Sequence, residues 1–122
     1  MTYWYEAKKF TVDQFDIIVD WTYEDSPIGS CFDDTVSDIE DMIRRCNAGI
    51  DTHYIARIRV FYDGHEMGSA TLGSCYAYGC DPEDDINDGM GGYLADMVEE
   101  AVDQAREEAV AMLQRLKADF LS

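Results

Sequence analysis

FDIIVDWTY, residues 15–23, decides the fold, because it satisfies two incompatible patterns. Phe15, Ile17, Val19, Trp21 and Tyr23 alternate with Asp16, Ile18, Asp20 and Thr22, the period of two that gives a strand one acidic face. Just upstream, Phe10-Thr11-Val12-Asp13-Gln14-Phe15 reads as a hydrophobic staple around a capping box, which would start a helix there and give Asp13 a role in its first turn. That helix would have to carry Ile17, Ile18, Val19, Trp21, Thr22 and Tyr23, mostly β-branched or aromatic residues of middling helix propensity. The strand is the better reading, and residues 2–8 read as a further, weaker one.

Downstream, Pro27 and Gly29 mark a loop. DDTVSDIEDMIRRCNAG, residues 33–49, follows as a helix. Acids, among them Asp33, Asp34, Asp38, Glu40 and Asp41, crowd its first turns; Val36, Ile39, Met42, Ile43 and Cys46 form a stripe; and Asn47-Ala48-Gly49 ends it. Its sequence offers Glu40–Arg44 and Asp41–Arg45 as i,i+4 pairs. Residues 54–62 alternate again and meet Asp63-Gly64, a strong hairpin signal. The partner strand over 66–76 is rich in Gly, Ser and Ala, so something can pack closely over it. GCDPEDDINDGMGG, residues 79–92, reads as a long acidic loop. Residues 93–120 read as an amphipathic helix with Leu94, Met97, Val98, Ala101, Ala105, Ala109, Met112, Leu116 and Phe120 on one side. The order β(β)αββα predicts a single α+β domain over 1–122, an antiparallel sheet with two helices packed on one face.

The chain holds 26 acids and 9 bases, a net charge of −17 over 122 residues. Such a surface repels nucleic acid and anionic membrane and favours basic protein partners, including grooves that normally hold nucleic acid. With no apolar run near the roughly 18 residues of a membrane span, and no signal-peptide pattern at the N-terminus, a soluble cytoplasmic protein is expected. Cys31, Cys46, Cys75 and Cys80 then read as reduced thiols, and their spacing lacks the tight pair of a zinc site.

Catalytic patterns fail one by one. Aligning Gly89 with the EF-hand glycine puts Ile86 and Ala95 where oxygen ligands belong, which leaves only a looser divalent arrangement of Asp81, Asp84, Asp85 and Asp88 to set against a solvated acidic segment. Asp88 and Asp96 suit a helix N-terminus. His53 begins a strand and His65 follows a turn, neither beside a recognisable nucleophile. The chain contains no P-loop, GxGxxG, GxSxG or HExxH. A non-enzymatic protein without a cofactor is expected.

Acids are what remain. Residues 60–105 hold eleven of them and no lysine or arginine. Asp16 and Asp20 should share a strand face about 13 Å apart, with Glu24 and Asp25 extending the row. Asp81, Glu83, Asp84, Asp85 and Asp88 fill the later loop, and Glu99, Glu100, Asp103, Glu107 and Glu108 lie on the last helix. Rows of unpaired charge on rigid elements resemble, coarsely, the charges of a DNA duplex. Trp4 and Trp21 would serve beside them as apolar anchors or as core.

Compact size, this charge and the lack of catalytic motifs resemble small phage-encoded anti-defence proteins, the anti-CRISPR and anti-restriction DNA mimics. YDGHEMGSATLGSCYAYG followed by GGYLADMVEEAVDQAREEA is also similar to small phage proteins built as a hairpin, an acidic segment and a charged helix. The resemblance implies an inhibitor working in the host cytoplasm, which occupies the basic nucleic-acid groove of a host nuclease or CRISPR surveillance complex. The alternative is an acidic interaction or regulatory module, a homodimer through the last helix, whose charge serves solubility only.

Overall fold

The computed structural model describes residues 2–33, 35 and 38–121. The alternation at residues 15–23 resolves as a strand, β2 (Phe15–Tyr23), and the competing helix does not form. Its upstream half instead belongs to β1 (Tyr5–Val12), which starts three residues later and ends four residues later than the weak strand expected at 2–8 and pairs antiparallel to β2. Asp13 is therefore no helix starter. It sits in the β1–β2 turn at φ +52° and pairs with Arg106.

β3 (Thr52–Tyr62) and β4 (His65–Ala77) complete a four-stranded antiparallel meander in the order β1-β2-β3-β4. Asp63 and Gly64 both take positive φ, 50° and 81°, as the mirror-image turn of a tight hairpin requires. β4 carries a bulge where Ser74 turns to φ +57° and the register slips between Tyr54 and Ala56.

The helix expected from residue 33 starts later. A short α1 (Ile28–Cys31) precedes it, Asp33 accepts the Thr35 amide at 2.8 Å in a local turn, and α2 runs over Ile39–Asn47 with Asp38 capping the Asp41 amide at 3.1 Å. Asp34 and Val36 lie outside the described residues. Neither expected i,i+4 pair forms: Arg44 bonds Asp41, and Arg45 reaches out of the helix to Asp51. The acidic loop at 79–92 is partly helical, as α3 (Pro82–Asn87), which is followed by a turn at Met90–Gly92 in which all three residues take positive φ. Pro82 at the first helical position presets the backbone angle there. α4 spans Tyr93–Phe120.

The main core lies on one side of the sheet. Ile17, Val19, Ala56, Ile58 and Val60 are wholly buried there beneath Ile86 of α3 and Leu94, Met97, Ala101 and Ala105 of α4. The small residues of β4 are what bring α4 down, since at Gly68 a Cβ would stand 2.4 Å from the Ala101 carbonyl oxygen. The α+β class and antiparallel sheet stand as read from the sequence. One refinement is that α2 docks separately, in a small cluster of Ile28, Met42 and Tyr76. Tyr76 and His53 face each other across β3 and β4 one residue on from the Tyr54–Cys75 pair, so they project to the opposite side of the sheet from Tyr54.

Candidate functional site

The acidic row expected along β2 does not exist as a surface. Asp20 is only 3% exposed, and its carboxylate accepts from Arg57 Nε at 2.9 Å, Arg57 Nη2 at 2.7 Å and Arg59 Nη2 at 3.0 Å. Cross-strand register explains this: Asp20 lies opposite Arg57, and Ile18 opposite Arg59, on the sheet face away from α4. The Arg57 guanidinium also stacks on Trp4 at 3.9 Å, so Trp4 covers this ion pair. Trp21 is core, stacked on Tyr5.

Glu24 has a structural task too. Its carboxylate accepts the Ser74 amide at 2.9 Å and the Ser26 amide at 3.2 Å, stapling the β4 bulge. Burial opposes its ionisation, yet those two amides hold its carboxyl below the usual value. Of the four carboxylates expected on β2 and its exit, only Asp16 and Asp25 stay exposed. Asp20→Ala should thus lower stability by about 2 kcal/mol, because it strands two guanidiniums, and leave partner binding unchanged; thermal unfolding alongside a binding assay checks both.

In α3 the split is similar. Asp85 is half-buried and accepts the hydroxyl of the wholly buried Tyr54 at 2.5 Å, tying the helix to the sheet. Burial, and then that carboxylate, push the Tyr54 hydroxyl far above its ordinary range. Asp81, Glu83, Asp84 and Asp88 remain exposed.

Helix α4 supplies the continuous acidic surface. Asp96, Glu99, Glu100, Asp103 and Glu107 recur at spacings of three and four, on the side opposite Leu94, Ala101 and Ala105, which are buried against the sheet. With Gln104 they line one shallow groove of about 490 Å³. Among the described residues, the only ion pair within this set is the exposed Asp103–Arg106 contact at 3.6 Å. Asp96 to Glu107 covers about 17 Å of helix axis, so the five carboxylates stand on average roughly 4 Å apart along it, near the ~3.4 Å spacing of charge along one strand of a duplex. Glu108 is set apart, paired with Arg115 at 3.1 Å.

Asp51 and its neighbours escaped the sequence reading. Asp51, 3% exposed, accepts from Arg45 Nε at 2.7 Å and Nη2 at 2.9 Å, from the Tyr76 hydroxyl at 2.6 Å and from the Gly79 amide at 2.7 Å. The Arg45 fork lowers its carboxyl to about 2. Asp51 borders a pocket of about 710 Å³ that is also lined by Tyr23, Glu24, Cys46 and His53. His53 is buried with no hydrogen-bond partner at Nε2 among the described residues, and burial lowers its pKa. Only a lone acid opening a strand six residues after an arginine marks this hub in the sequence.

All four cysteines carry free thiols, and burial pushes that of Cys75 up to about 11. Among the described residues no group of three His, Cys, Asp or Glu side chains could hold a metal ion, so the loose divalent arrangement at residues 81–88 is not assembled. No helix among the described residues is long and apolar enough to cross a membrane. No family model matches the chain, and neither the curated proteins nor the solved structures contain a significant match to it.

Proposed function

We propose that the chain is a non-enzymatic anti-defence inhibitor that lays the acidic stripe of α4 into a basic nucleic-acid-binding groove of a host nuclease or CRISPR surveillance complex. The observation that carries this reading is the stripe itself: Asp96, Glu99, Glu100, Asp103 and Glu107 stand on a rigid helix, directed away from the core, at nearly the charge spacing of a nucleic-acid strand. The exposed acids of α3 and its two caps, namely Asp81, Glu83, Asp84 and Asp88, add negative charge ahead of the same helix. Structural duties account for Asp20, Glu24, Asp51 and Asp85, each held by hydrogen bonds within the fold. Among the described residues, Glu99, Glu100 and Glu107 have no such hydrogen bond; Asp96 lies in the first turn of α4, Asp103 makes only the exposed contact to Arg106, and none of the five serves the core packing.

The test is binding to candidate nucleases and surveillance complexes over a salt series, with wild type and the variant E99Q/E100Q/D103N/E107Q. Wild-type affinity should fall as salt rises, and prebound DNA should block binding. The variant should bind roughly tenfold or more weakly at low salt, from four exposed pairs at a few tenths of a kcal/mol each or better. Its helix should persist, since glutamine and glutamate have similar helix propensity. Salt-independent binding, or a variant that binds as well as wild type, leaves the other reading: an interaction module whose charge serves solubility.

A further inference from the structure

The core-facing stripe of α4 does not stop where the sheet stops. Leu94, Met97, Ala101 and Ala105 are buried on β3 and β4, and the same three-and-four spacing continues through Ala109, Met112, Leu116 and Phe120, with Leu113 beside them. The sheet ends near Arg106, which pairs with Asp13 of the β1–β2 turn, and near Ala111, which shares a shallow groove with Glu66 at the start of β4. Some ten further residues therefore extend past the sheet, about 15 Å of helix. There Met112 is 38% exposed, Leu113 52%, Leu116 48%, Phe120 76% and Leu121 79%. Those side chains leave on the order of 600 Å² of apolar surface open, more than most monomers expose in one patch and close to the ~800 Å² each partner contributes to a standard interface.

We infer that this overhang is a self-association surface, on which two copies pair their residues 109–121 about a two-fold axis. Three observations favour a second copy as the occupant. The apolar stripe is continuous with the chain's own core stripe, so an identical helix supplies a matching surface. Residues 109–121 carry Arg115, Lys117 and Asp119 as their only charged side chains, a local excess of one positive charge in a chain of net charge −17. It is thus a part of the molecule that a second acidic copy can approach with little repulsion. An antiparallel pairing of residues 109–121 also keeps the two acidic bodies at opposite ends. The inference does not depend on the proposed function, because it uses the opposite face of α4.

Sedimentation equilibrium on the full chain tests it, at low salt and at about 0.5 M salt, up to ~100 µM protein. Wild type should dimerise reversibly, and more tightly at high salt, where repulsion between the two acidic bodies is screened. That salt dependence is opposite in sign to the one expected for a basic partner. L113Q/L116Q, which leaves the charge unchanged at two exposed positions, should weaken self-association at least tenfold while keeping the wild-type melting temperature at protein concentrations too low for dimer. E99Q/E100Q/D103N/E107Q should dimerise at least as well as wild type. A wild-type chain that stays monomeric at both salts, or a dimer untouched by L113Q/L116Q, overturns the inference without bearing on the acidic stripe.

Discussion

Gly68→Ala is expected to lower the melting temperature by roughly 10 °C, corresponding to about 3 kcal/mol, although it adds one methyl group to a strand. Alanine is ordinarily no worse than glycine within a strand, because glycine loses more backbone entropy on folding. Here the added Cβ would lie 2.4 Å from the carbonyl oxygen of Ala101, 2.9 Å from the Ala105 amide nitrogen and 3.3 Å from the Ala105 Cα. All three are backbone atoms, so no side chain can swing aside, and α4 must lift from β4. The lift would disturb the packing of Met97, Ala101 and Ala105 and the bond from the Ser69 amide to Gln104, 2.7 Å long. Ser69→Ala, at the neighbouring exposed position, should change the melting temperature little. If Gly68→Ala melts like wild type, the close approach of α4 to β4 is wrong.

Asp51→Ala is expected to cost at least as much, about 3–4 kcal/mol, because it removes a buried carboxylate and leaves its partners facing one another without an acceptor. Those partners come from three places: the end of α2, the Tyr76 hydroxyl and the Gly79 amide. Losing the carboxylate should loosen α2 and its small apolar cluster first, so amide exchange should rise most at residues 39–47 and least at Ile58 and Val60. The pH dependence follows from the direction of the shift. The Arg45 fork holds the Asp51 carboxyl at about 2 in the fold, against 3.8 ordinarily. The unfolded chain therefore takes up the proton first as pH falls, so the stabilisation is complete above about pH 4 and is lost as pH approaches 2. Asp51→Asn should melt lower than wild type at neutral pH, with the gap narrowing between pH 4 and 2. A gap that stays constant through that window would show that Asp51 is not ionised in the hub.

Much of the fold was legible in local pattern. FDIIVDWTY was readable as a strand because β-branched and aromatic residues at a period of two outweigh a capping signal made of a few residues. Asp63-Gly64 announced its hairpin because few dipeptides accept positive φ twice in succession. α4 was legible end to end because a 28-residue amphipathic period averages out local exceptions. The late start of α2 and the helical turns within residues 79–92 were not legible. Short elements hold too few residues to show a period, and acids suit both a loop and the first turn of a helix.

The acidic site divided along the same line. Composition alone establishes that this chain is strongly anionic, and periodicity alone places five of its carboxylates on the outer side of one helix. Neither can say which carboxylates are free, because an acid's partner is chosen across strands and between elements. Asp20 meets Arg57 and Arg59 only once β2 and β3 are in register, Glu24 meets Ser74 only because β4 bulges, and Asp51 gathers Arg45, Tyr76 and Gly79 from segments up to 28 residues away. Charge and period are additive properties of the chain and survive without a structure. Desolvation and pairing depend on which groups are brought together, and that was decided by the packing of the sheet against its helices.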